Sequence, residues 1–115
     1  MSEASGSVVF LSGDLMFASR VRGAAERAGW SFALTGKLPE SSAVPIRFVV
    51  LDLATMSKLT EGITEHCAAN CPDAKLIAYG PHVQVAKLDA ARNAGIPVVM
   101  TRGQFDSKLS TLFAV

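Results

Sequence analysis

The residues that most limit what this chain can become are Arg47-Phe48-Val49-Val50-Leu51-Asp52-Leu53. Apolar residues run through Phe48–Leu51 without alternation and then stop at a carboxylate. Such a run reads as a strand covered on both faces, the middle of a parallel sheet. In open α/β sheets, ligands and chemistry gather in the crevice outside the carboxyl ends of the strands. Asp52 is the first polar residue at that end, which makes it the first candidate for function.

The rest of the chain supplies the partners such a strand needs. Residues 1–6 read as a disordered lead-in. Val8–Leu11 is a second buried-strand run, and a helix should follow it, with Ser12 or Asp14 as N-cap and Gly29 just past its end. Phe17, Val21, Ala24 and Ala28 give that helix its buried face. Trp30–Leu34 fits a short strand. Gly36 to Pro45, with two prolines and little helical periodicity, reads as a loop or one weak turn, so the second helix is expected to be short or missing. A helix is expected from Met56 or Ser57 to about Asn70, with Leu59, Ile63 and Cys67 on one face. Then come a strand at Lys75–Tyr79, an Ala-rich helix from Val83 to Ala94 capped by Gly95, and a strand at Ile96–Met100 whose early proline suits an edge. Thr101-Arg102-Gly103 reads as a loop. A short helix carrying Phe105, Leu109, Leu112 and Phe113 ends the chain.

Strands alternating with helices give right-handed crossovers and a parallel sheet. The expected fold is α/β: a single doubly wound, three-layer domain over residues 1–115, its five-stranded parallel sheet in the order 2-1-3-4-5. That order sets Ser12-Gly13-Asp14 beside Asp52, with Gly80, Thr101 and Arg102 on the same rim. Composition excludes several functions. With 11 basic and 10 acidic residues and no basic run, a nucleic-acid surface is not expected. No apolar stretch approaches a membrane span. Two cysteines and no export signal suggest a reducing, cytoplasmic setting.

Val8–Leu11 followed by a polar loop, Ala28-Gly29-Trp30, Val49-Val50-Leu51-Asp52-Leu53, Leu76–Tyr79, and Ala94-Gly95 leading to Thr101-Arg102 keep a characteristic order and spacing. In that order the chain resembles the CheY-like receiver domain of two-component response regulators, over nearly its whole length. The resemblance implies that Asp52 matches the phosphoacceptor. The acidic pair that binds Mg²⁺ in the family reads Ser12 and Gly13 here, and the Thr or Ser after the fourth strand reads Gly80. The lysine after the fifth strand reads Arg102, followed by Gly103 in place of proline, and the fifth-strand aromatic reads Val99.

Phosphoryl transfer to a carboxylate brings two anions together, so it depends on positioning and charge neutralisation. Mg²⁺ wants octahedral oxygen ligands, and here it is admitted only if Asp14 stands in for the missing acidic pair. The expectation is therefore a pseudo-receiver: no enzyme, no cofactor, no metal, no phosphorelay chemistry. Asp52 is expected to pair with Arg102, since a buried carboxylate needs a partner. Such a domain would act as a phosphorylation-independent signalling module through an unidentified protein partner. A homodimer through the fourth helix, fifth strand and fifth helix is expected, with Val85 and Leu88 as anchors and apolar residues of a short last helix exposed.

Two other functions stay open. One is a working phosphoacceptor at Asp52. The other is a small anionic ligand site on the rim, where Gly13, Gly80 and Gly103 open the crevice and Arg102 could grip an anion, against the charge of Asp52. Other features read blandly. Cys67-x₃-Cys71 beside His66 lacks the four ligands of a structural zinc site, and Cys67 continues a core face. His82 reads as a solvent-facing cap. Ser12-Gly13-Asp14 lacks the glycine spacing of a phosphate loop.

Overall fold

The computed structural model describes residues 6–40 and 44–114. The expected lead-in falls mostly on residues 1–5, outside the described residues. Gly6, the last residue of that expected lead-in, is buried instead, and its carbonyl accepts the Ser31 N–H at 3.1 Å.

Five strands, β1 (Ser7–Leu11), β2 (Ser31–Thr35), β3 (Ile46–Asp52), β4 (Lys75–Gly80) and β5 (Val98–Thr101), form one parallel sheet in the order β2-β1-β3-β4-β5. β3 is central and β5 is an edge, where Pro97 needs no ladder partner. Strand parity sorts the core into two layers. Val8, Phe10, Phe48, Val50, Ile77 and Tyr79 face helices α1 (Leu15–Arg27) and α5 (Arg102–Leu112). Val9, Leu11, Val49, Leu51, Leu76 and Ala78 face α2 (Leu53–Met56), α3 (Ile63–Asn70) and α4 (Val85–Asn93).

Between β2 and β3 the described residues contain no helix. Leu38 from this loop packs on the second core layer, and the His66 ring of α3 donates to the Pro39 carbonyl. His66 is thus tied to the loop, away from the thiols it precedes. Residues 41–43 of the expected loop lie outside the described residues.

Three sequence expectations need correction. The helix expected from residue 56 or 57 to 70 is instead a 3₁₀ turn (Ser57–Leu59) and then α3, with the short α2 ahead of them. Gly62 takes φ +84°, left-handed backbone that only glycine adopts without strain, and it redirects the chain into α3. His82 caps nothing: α4 begins three residues beyond it, behind Gln84, and His82 is simply exposed. The last helix has 11 residues rather than a stub. Phe105, Leu109 and Phe113 are buried in the first core layer, and the Trp30 indole N–H donates to the Phe113 carbonyl at 2.7 Å, pinning the end of α5.

The apolar groups left in the open are elsewhere. Leu15 and Met16 stand out at the start of α1, Val83 in the turn before α4 and Val85 at its start. Leu88, expected as an exposed anchor, is 5% exposed and belongs to the second core layer.

Candidate functional site

Asp52 ends β3 and simultaneously caps α2. Its parity continues Phe48 and Val50, so its side chain rises on the α1/α5 side of the sheet. It is 2% exposed. Oδ1 accepts the Ala54 N–H at 3.0 Å, and Oδ2 accepts the Ser12 and Thr55 hydroxyls at 2.7 and 2.8 Å. The two hydroxyls are themselves fixed: Ser12 Oγ accepts the Asp14 N–H and Thr55 Oγ1 accepts the Gly13 N–H, each at 2.9 Å. The result is a closed ring of hydrogen bonds that clamps the β1–α1 turn onto the β3–α2 turn. Neutral donors hold the carboxylate, satisfying a buried anion without a cation beside it. The spacing Asp52-x-x-Thr55, an N-cap with a hydroxyl at its third helical position, is the sequence signal that announces this ring.

Arg102 does not pair with Asp52, contrary to expectation. Thr101-Arg102-Gly103 is not a loop either, because Thr101 and Gln104 form a capping box. Thr101 Oγ1 accepts the Gln104 N–H at 3.2 Å, and Gln104 Oε1 accepts the Thr101 N–H at 2.9 Å. Arg102 therefore occupies the first turn of α5 and leans toward α1. Its guanidinium lies 4.4 Å from the centre of the Phe17 ring and 3.5 Å from Asp14 Oδ2, with about half its side chain in solvent. Asp14 spends its other oxygen on the Phe17 N–H at 3.0 Å as the N-cap of α1.

The position that sequence spacing assigned to Gly80 is filled differently. The residue that β4 sets in register with Asp52 is Tyr79, and Met100 follows on β5. Gly80 has the opposite parity. A Cβ there would meet Leu53 Cβ at 3.1 Å and Leu88 Cδ2 at 3.8 Å, on the far side of the sheet. We expect Gly80→Thr, which would restore the family's hydroxyl by spacing, to place no hydroxyl at Asp52. It should instead overpack against Leu53 and cost about 1–3 kcal/mol in chemical denaturation.

Tyr79 is the residue that spacing alone missed. Its ring stacks on Phe105 (4.3 Å between centres, planes within 8°) and also touches Phe10 and Phe17. The hydroxyl lies near Ser12 but makes no aligned hydrogen bond. Burial, then the neighbouring Asp52 charge, push its ionisation far above the usual phenol range, although Arg102 works the other way.

The site thus gathers Ser12, Gly13, Asp14 and Asp52 into one network. Thr101 and Arg102 join it only at its outer edge, and Gly80 faces away. These residues do not fit Mg²⁺. Asp52 is the single inward carboxylate, its oxygens already accept three hydrogen bonds, and Asp14 is turned to Arg102. Among the described residues no three His, Cys, Asp or Glu side chains converge as a metal site, and no helix is long and apolar enough to cross a membrane.

No protein-family model and no curated protein sequence matches the chain. Solved structures do match. A response regulator from Thermotoga maritima superposes with a TM-score of 0.64 at 12% identity, covering 93% of this chain and 98% of the other. A response regulator protein from Burkholderia pseudomallei, whose structure holds a phosphorylated aspartic acid, a calcium ion and citrate, gives 0.64 at 15% identity, covering 94% and 68%. With the strand order and the two helical layers, these matches establish that the chain has the CheY-like fold of a response-regulator receiver domain.

Proposed function

We propose that this domain is a receiver-like signalling module that works without phosphorylation, in the cytoplasm, by contact with another protein and not by catalysis. The observation that carries this reading is the hydrogen-bond ring around Asp52. A phosphorylated aspartate, such as the one in the Burkholderia protein, needs an oxygen free to accept the phosphoryl group and positive charge to offset it. Here both oxygens of Asp52 are engaged by Ser12, Thr55 and the Ala54 N–H. Arg102 is engaged by Asp14 and Phe17. The geometry favours a turn clamp over an acceptor.

The test is incubation with acetyl phosphate and Mg²⁺, read by intact mass. We expect no phosphoryl adduct and no Mg²⁺-dependent rise in melting temperature. An adduct mapped to Asp52 would restore the phospho-switch and end this reading. For the partner surface, the first arrangement to test is a homodimer through α4, β5 and α5, where Val85 is exposed and Val98 and Val99 are half-buried. Light scattering that shows a strict monomer at high concentration removes it and leaves a different protein as the partner.

A further inference from the structure

We propose that Cys67 and Cys71 form an oxidisable dithiol, which a small disulfide of the glutathione type converts into an intramolecular Cys67–Cys71 disulfide, Cys71 attacking first and Cys67 resolving. The pair lies at the end of α3 and in the turn before β4, at the opposite end of the parallel strands from Asp52, and so does not depend on how Asp52 is read.

Four residues apart on a helix places two side chains on one face, with Cβ atoms about 5–6 Å apart. A disulfide needs about 3.5–4.5 Å. The difference has to be closed by a small backbone movement, and this pair sits where helices yield most easily. Cys71 is the C-cap of α3 and has already left helical geometry at φ −147°, while its N–H still reaches the Cys67 carbonyl at 2.8 Å. Both thiols are free and buried, at 5% and 6% exposed, and lie close enough that each shifts the other's ionisation. Both also line a surface concavity of about 280 Å³, with Thr64, Pro72 and Pro97 around them, which gives a small reagent an approach.

Burial weighs on both thiols, and their proximity weighs on them unequally. Cys67 keeps its proton the more firmly, its ionisation pushed up to about 12 by burial and then by Cys71. Burial raises Cys71 as well, but the neighbouring Cys67 partly offsets that push. Cys71 is therefore the better nucleophile of the two. Its thiolate attacks one sulfur of the small disulfide and expels one thiolate, which takes up a proton. Cys67, once deprotonated, attacks the Cys71 sulfur of the mixed disulfide and expels the second small thiol. The pair loses two protons and two electrons, and one small disulfide becomes two thiols.

The experiment treats the reduced, folded chain with glutathione disulfide and follows intact mass with peptide mapping. The wild type should lose two hydrogens and keep no glutathione. Cys67→Ser should hold one glutathione stably on Cys71, whereas Cys71→Ser should react at Cys67 on the order of tenfold more slowly. Circular dichroism checks each variant for folding. If a serine variant fails to fold, the wild type alone decides, by forming the disulfide without denaturant. Both thiols surviving in the native wild type, two separate glutathione adducts, or faster reaction at Cys67 would overturn the proposal.

Discussion

Asp52→Ala should lower the stability of this domain by about 2–3 kcal/mol in chemical denaturation, and Arg102→Ala by less than about 1 kcal/mol. Alanine removes the cap of α2 and the acceptor for three donors, and it leaves the Ser12 hydroxyl buried with nothing to donate to. Removing a buried charge recovers some desolvation energy, which keeps the loss from being larger. Asp52→Asn should fall between, at about 1 kcal/mol. Asparagine keeps an acceptor for the Ala54 N–H and is as good an N-cap, but its amide now faces the two hydroxyls and turns them from donors into acceptors. Arg102→Ala removes only a half-exposed ion pair and a cation–ring contact. The ranking is the decisive readout. If Arg102→Ala cost as much as Asp52→Ala, the carboxylate would be held by the guanidinium after all.

The strands were legible because a strand buried on both faces is a contiguous apolar run, and β1, β3 and β4 each show one. The order 2-1-3-4-5 followed from crossover handedness and the need to cover both faces of the sheet, and the structure has it. Asp52 was legible as the first polar residue after the central run. Its neighbours were not, because a side chain's partner depends on register and on where the next helix starts. Shifting one position along β4 swaps faces, which is why spacing pointed to Gly80 while Tyr79 lies beside Asp52. Arg102 went astray for a similar reason. Arg-Gly after a strand looks like loop, but Thr101 and Gln104, three residues apart, cap a helix and carry Arg102 toward α1. The break at Gly62 was hidden inside an apolar periodicity that continues on both sides of it.

Tyr79 carries the second large effect, and its two truncations should differ sharply in what they do to stability. Tyr79→Ala should cost about 3–5 kcal/mol, since it empties a ring-sized volume between Phe10, Phe17 and Phe105 in the middle of the first core layer. Tyr79→Phe keeps the stack and deletes only a buried hydroxyl without a hydrogen bond, so it should leave stability unchanged or raise it by about 1 kcal/mol. The same hydroxyl sets a pH signature. Its folded-state ionisation is raised, so its contribution is whole below the unfolded phenol value, near 10, and is lost as pH rises above it, where only the unfolded chain ionises. Cys67 adds a loss of the same sign, starting near the ordinary thiol value of 9.0 and running toward about 12. The melting temperature of the wild type should therefore fall steeply above pH 9, and Tyr79→Phe should soften that fall only above about pH 10. A Tyr79→Phe variant clearly less stable than wild type at neutral pH would mean that the hydroxyl has a partner, and that the ring around Asp52 reaches one residue further along the sheet.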